Sequence, residues 1–118
     1  MDDRSVFISF FADTIKQELD HLKNSLENED PDVFAINEYE ELKKALSQEE
    51  KEMVYAVAYD LLESYTHSIM TMFDNGTKLS DSFLIDVINS ETKESLTENY
   101  DAALHEDFIE VMLDTFDD

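Results

Sequence analysis

Apolar residues return every three or four positions along most of this chain, the spacing of helices with one buried face. Val6 or Phe7, then Phe11, Ile15, Leu19, Leu22 and Leu26 predict a first helix over about 4–28. The run Asn28-Glu29-Asp30-Pro31 interrupts it. Asp30 is a good helix cap and Pro31 suits a first turn, where its missing N–H costs nothing. A second helix is expected to start there, with Ala35, Tyr39, Leu42 and Leu46 on its apolar face and its end near 45–47. Ser47-Gln48-Glu49-Glu50 has the capping-box spacing, in which serine and glutamate each satisfy the other's free backbone amide. That opens a third helix over about 48–74, closed at Asn75-Gly76 with the glycine supplying a left-handed turn.

The third helix is unusual in this chain. Val54, Val57, Ala58, Leu61, Leu62, Tyr65, Ile69, Met72 and Phe73 cover more than half of its circumference. A helix apolar nearly all round is expected to be buried, so it is read as a central post with the other helices packed about it. Beyond a 76–79 connection, Ser80 can cap a short element containing Phe83-Leu84-Ile85-Asp86-Val87-Ile88. Its apolar residues fit either period, but a lone strand would lack a partner, and the helical reading is taken. Residues 90–99 are polar and read as a loop. A last helix over about 100–116 sets Leu104, Phe108, Val111, Met112 and Phe116 against an acidic opposite side. The expected fold is all-α: one domain spanning 1–118, a bundle of about five helices around the apolar helix at 48–74. One glycine and one proline in 118 residues agree, because a β-rich chain needs many turn residues.

Charge changes the picture most. Thirty acidic against eight basic residues give a net charge of −22, well beyond the ~2–8 that solubility asks of a small domain. Self-repulsion on this scale opposes folding. Hydrophobic and aromatic contents of 42% and 11% nevertheless separate the chain from disordered acidic tails. Without cysteine it forms no disulfide and suits a reducing compartment. The N-terminal segment begins acidic and lacks a basic leader region, and no apolar run reaches the ~20 residues of a membrane span. The expected location is the cytoplasm.

No catalytic or cofactor motif stands out. His21 lies among Glu18, Asp20 and Lys23 and reads as surface, while His67 and His105 could approach each other. Neither has the spacing of a zinc site, and a structural role is the simpler reading for both. Phosphate-cradling glycine loops and calcium-loop spacings are absent. The chain is therefore expected to be neither an enzyme nor a carrier of a metal or cofactor.

The acids are distributed unevenly. Between Lys23 and Lys43 there are seven acids and no base: Glu27, Glu29, Asp30, Asp32, Glu38, Glu40 and Glu41. After Lys93 the bases stop again, while Glu106, Asp107, Glu110 and Asp114 continue among the acids. Two one-signed faces of this kind attract a basic partner and speed its association. Basic surfaces that normally hold nucleic acid are the natural counterpart. The expected partner-binding residues are Glu29, Asp30, Asp32, Glu38, Tyr39, Glu40 and Glu41, with Glu106, Asp107, Glu110 and Asp114. Direct contact with nucleic acid or membrane is not expected, and the chain is read as a monomer or homodimer.

The composition, length and nearly glycine-free helical pattern resemble the small acidic DNA mimics by which phages block restriction. They are also similar to the helical immunity proteins of contact-dependent and polymorphic toxin systems. Tyr65-Thr66-His67-Ser68-Ile69-Met70 and Leu104-His105-Glu106-Asp107-Phe108 look like segments of such bacterial immunity-type proteins. The first resemblance implies occupation of DNA-binding proteins, the second neutralisation of a toxic nuclease. An acidic adaptor or regulatory subunit is a third reading. A mimic needs little beyond phosphate-like charge spacing, whereas a tight inhibitor needs an apolar or aromatic anchor within the acidic field. Tyr39, Tyr55, Tyr59 and Tyr100 are available for it, Tyr39 being flanked by Glu38 and Glu40, and lysines are retained that a mimic would shed. The inhibitor reading is preferred.

Overall fold

The computed structural model describes residues 2–28, 36–98 and 100–117. It is all-α in its regular elements: α1 (Asp3–Glu27), α2 (Glu38–Ala45), α3 (Gln48–Phe73) and α4 (Leu104–Phe116), four α-helices among the described residues where about five were expected, with a 3-10 turn at Lys78–Asp81. Among the described residues no helix is long and apolar enough to cross a membrane. The chain divides into two compact units, one formed by 1–13 with 64–118 and the other by 14–63.

Local chemistry explains the helix ends. The Asp2 side chain accepts the Ser5 amide at 2.8 Å and starts α1; these bonds hold its carboxyl below the usual range. The cap expected at Asp30–Pro31 lies outside the described residues, but the helix expected to run on from it does not include Ile36 or Asn37, and α2 starts only at Glu38. The capping box of α3 forms as its spacing requires: the Glu50 amide donates to Ser47 Oγ at 3.1 Å, and the Ser47 amide to Glu50 Oε1 at 2.9 Å. At the other end of α3 the expected residue roles are exchanged. Asn75, at φ 60°, is the left-handed residue, and Gly76 is not. The Asn75 amide reaches the Met72 carbonyl and the Gly76 amide the Thr71 carbonyl, the paired bonds of a Schellman cap. Gly76 matters through its size, since a Cβ there would lie 2.9 Å from Thr71 Cγ2.

The segment read as a helix at 83–88 is extended instead. Its amides and carbonyls find partners that sequence spacing does not reveal. The Asn75 side chain takes both polar groups of Ile85, donating to its carbonyl at 3.0 Å and accepting from its amide at 2.7 Å. Val87 accepts the Leu96 amide, and an isolated antiparallel bridge joins Ile88 to Ser95. Asp86 binds the hydroxyls of Ser95 and Thr97 across this hairpin, at 2.6 and 2.8 Å. Those bonds keep its carboxyl below the ordinary range.

In the first unit the buried apolar side chains are Ile8 and Ala12 of α1, Met70 of α3, Leu96, and Leu104, Phe108 and Met112 of α4. The four-residue steps within α1 and α4 are the pattern of helices presenting one face inward. Phe7 meets Phe11 edge-on at 5.1 Å between ring centres and lies 6.2 Å from Phe73. The second unit buries Ile15, Leu19 and Leu26 of α1 and Tyr55 of α3.

Most apolar residues of α3 are not buried, which overturns its reading as a central post. Met53, Val57, Leu61 and Tyr65 are each 59–69% exposed. Among the described residues the reason is a shortage of cover. The eight-residue α2 has no buried side chain and leaves the 53–61 side of α3 open to solvent.

Tyr55 gives the second unit a measurable alkaline limit. Burial and the neighbouring Glu27 carboxylate push its phenol up from 10.0 to about 12. The folded state thus holds this proton more tightly than the unfolded chain does. The resulting stability is complete below about pH 10 and is lost as pH rises through about 12. A spectrophotometric titration at alkaline pH should show one phenol ionising near 12, with ellipticity lost in the same step. That component should vanish in Tyr55→Phe. Ionisation of every phenol near 10 would contradict a buried Tyr55.

Candidate functional site

A well-formed concave feature lies wholly within the 14–63 unit. It is an open groove of about 730 Å³. α1 contributes Glu18, His21 and Leu22, spaced so that they share one side of the helix. Tyr39 of α2 and Leu46, just past its end, form a second wall. The length of the groove belongs to α3, which lines it with Glu50, Met53, Val54, Val57, Ala58, Leu61 and Leu62. These seven fall at alternating steps of three and one, so they form two adjoining rows, each with four-residue steps, on one helix face. Val54, Ala58 and Leu62 are half-buried, and Met53, Val57 and Leu61 stand exposed beside them.

An apolar surface this open is costly in water, at roughly 25 cal/mol per Å². Contiguous exposed apolar surface commonly marks an interaction site. Its surroundings are acidic. Glu18 and Glu50 line the groove, and Glu38, Glu41, Glu49 and Glu52 are exposed on α2 and α3. Glu50 is held anionic by the Ser47 amide and hydroxyl, which lower its carboxyl. The 14–63 segment as a whole carries 14 acids against five lysines, a net charge of −9.

The acids expected to bind a partner have separate positions. Glu38 and Glu41 are exposed on α2, Glu40 pairs with Lys43 at 3.1 Å, and Tyr39 turns into the groove. Lys43 also donates to the Asn28 carbonyl. Glu106, Glu110 and Asp114 are exposed on α4, in the other unit. Asp107 of α4 is engaged internally, its Oδ2 lying 2.9 Å from Arg4 Nη1. Glu29, Asp30 and Asp32 lie outside the described residues.

Sequence reasoning missed His21, Glu18 and the apolar rows of α3 as site residues. His21, read as solvated surface, is half-buried and meets Tyr39 edge-on at 6.2 Å between ring centres. Part of the signal was present: Met53-Val57-Leu61 and Val54-Ala58-Leu62 are two parallel rows, but the second helix expected from Asp30–Pro31 was long enough to cover them, and the observed α2 has only eight residues.

No family model, characterised protein or solved structure matches the chain. Its own residues carry the functional reading.

The other cluster of chemical groups is His67, His105 and Asp74, in the unit containing α4. The histidine rings do approach, edge to face at 5.3 Å between centres. His105 Nδ1 lies 2.8 Å from Asp74 Oδ2, while Asp74 also accepts the Leu104 and His105 amides at 3.0 Å each. The position that should cap α4 is Ala103, which has no polar side chain. Asp74 therefore does that work from the end of α3, satisfying two amides that would otherwise be orphaned. Among the described residues no group of three or more histidines and carboxylates is placed to hold a metal.

Proposed function

We propose that this chain is a non-catalytic acidic inhibitor of a basic protein, an immunity protein that neutralises a toxic nuclease. The observation that carries the reading is the groove: an open apolar surface with Tyr39 and His21 on its walls, set among carboxylates. Binding energy at protein interfaces concentrates in a few aromatic and apolar anchors, and charge chiefly supplies the association rate and the choice of partner. A phosphate mimic has no use for such a groove. An inhibitor that must hold one partner tightly needs both features.

The test is rescue by co-expression. A basic nuclease recovered from the native host by pull-down should be toxic alone and tolerated together with this chain. Glu38→Gln, Glu40→Gln and Glu41→Gln combined should slow association on the order of tenfold or more at low salt. Removing the Glu40 charge also leaves Lys43 without its ion-pair partner, which adds to the change of sign. Raising salt should slow the unsubstituted protein toward the same rate. Binding that survives both the neutralisation and high salt would reject the inhibitor reading.

A further inference from the structure

We infer that the groove of the 14–63 unit receives an amphipathic helix whose apolar face is flanked by lysine or arginine, presented by the basic partner. The inference rests on the inhibitor reading and names the segment that the groove would grip.

The walls decide the form of the occupant. Except at Leu46, just past the end of α2, they are helices, whose backbone N–H and C=O groups are spent mainly on their own ladders. An extended peptide laid against them would bring unpaired backbone groups to apolar walls, which is unfavourable. A helix arrives with its backbone already satisfied. Along α3 the lining runs from Glu50 to Leu62, which spans roughly 18 Å at 1.5 Å per residue, or about three helical turns. Met53, Val57 and Leu61 form an exposed ridge at four-residue steps. Such ridges interlock with the i, i+3, i+4 and i+7 side chains of a facing helix.

Charge decides its composition. Glu18 lies on the α1 wall and Glu50 at one end of the α3 row, so cations beside the incoming apolar face meet carboxylates on two elements. Two of the unit's five lysines are already occupied: Lys43 by Glu40 and the Asn28 carbonyl, and Lys23 over the Tyr55 ring at 5.6 Å. A second copy of this chain is the wrong occupant, because it would bring another net charge of −22 to the same surface.

Calorimetric titration of the full chain with three synthetic peptides of about 14 residues tests this, that length allowing three turns with ends. One carries leucines at helical spacing flanked by lysines; one has the same leucines flanked by glutamates; one is a scrambled isomer of the first. The lysine-flanked peptide should bind, at least tenfold tighter than either of the others. Leu61→Asp should weaken it by about tenfold to a hundredfold, the loss of one buried leucine anchor. Leu61 is 63% exposed, so this variant should keep its helical spectrum. The substitution also adds a negative charge, so binding by charge alone would strengthen instead, and that result would overturn the inference. Equal binding of the scrambled isomer or of the glutamate peptide would overturn it too, as would a dimer that Leu61→Asp disperses. The parent reading fails separately: a basic nuclease that is bound and neutralised equally well by the Leu61→Asp chain removes the groove inference and leaves the inhibitor intact. Loss of both nuclease and peptide binding in the unsubstituted chain removes both.

Discussion

Phe108→Ala should lower the stability of this protein by about 3–5 kcal/mol, the range for deleting a buried aromatic side chain. Phe108 has no exposed surface, and it lies one turn from Leu104 and one turn from Met112, which are equally enclosed. The vacated volume would be bounded by residues of a helix that cannot move without disturbing its Asp74 cap. Leu61→Ala should cost less than about 1 kcal/mol, because most of that side chain already faces water. Urea unfolding of the two variants, followed by helical ellipticity, measures the difference. Equal losses would mean that α3 is enclosed after all, and that neither the groove nor the α4 core is as described.

That pair of substitutions also marks where the sequence was legible. Helix existence could be read because periodicity and capping are local. The Ser47–Glu50 box states both the start of α3 and its partner groups within four residues. The inward face of α4 follows from Leu104, Phe108 and Met112 in the same way. What could not be read depends on residues far along the chain. The apolar circumference of α3 looked like burial, but burial needs cover, and α2 is too short to provide it. The 83–88 segment looked helical because no strand partner was visible, yet the Asn75 side chain satisfies Ile85 from ten residues away. Ala103 gives no hint of a cap, since its substitute, Asp74, belongs to another helix. For the candidate site, Tyr39 was named from the sequence and lines the groove, whereas Glu38 and Glu40 beside it do not. His21 was not named, because its charged neighbours in sequence conceal that it faces the groove.

Asp107 was legible as one more acid of a one-signed helix, and the structure gives it different work. Arg4, the chain's single arginine, is 5% exposed. Its guanidinium pairs with Asp107 at 2.9 Å, donates to the Ala102 carbonyl at 2.7 Å and stacks 4.2 Å from the Tyr100 ring centre. This uses the planar fork of arginine, and a lysine would reproduce only the charge. Asp107→Ala should cost about 3 kcal/mol at low salt, at the lower end of the range for stranding a buried charge, because the carboxylate is itself partly exposed. Arg4→Met should cost less, since it leaves no cation enclosed and keeps the packing of the stem. Arg4→Met combined with Asp107→Ala should be more stable than the sum of the two single changes, as the stranded charge is then removed. Chemical denaturation of the cycle at low and high salt reads these terms; strictly additive effects, each below about 0.5 kcal/mol, would show that the latch contributes nothing. The cycle bears on partner binding as well. Neutralising Glu106, Glu110 and Asp114 removes exposed charge and should leave the fold intact, whereas neutralising Asp107 loosens α1 from α4. A partner affinity that falls with Asp107 alone, in step with stability, therefore reports the latch and not a contact.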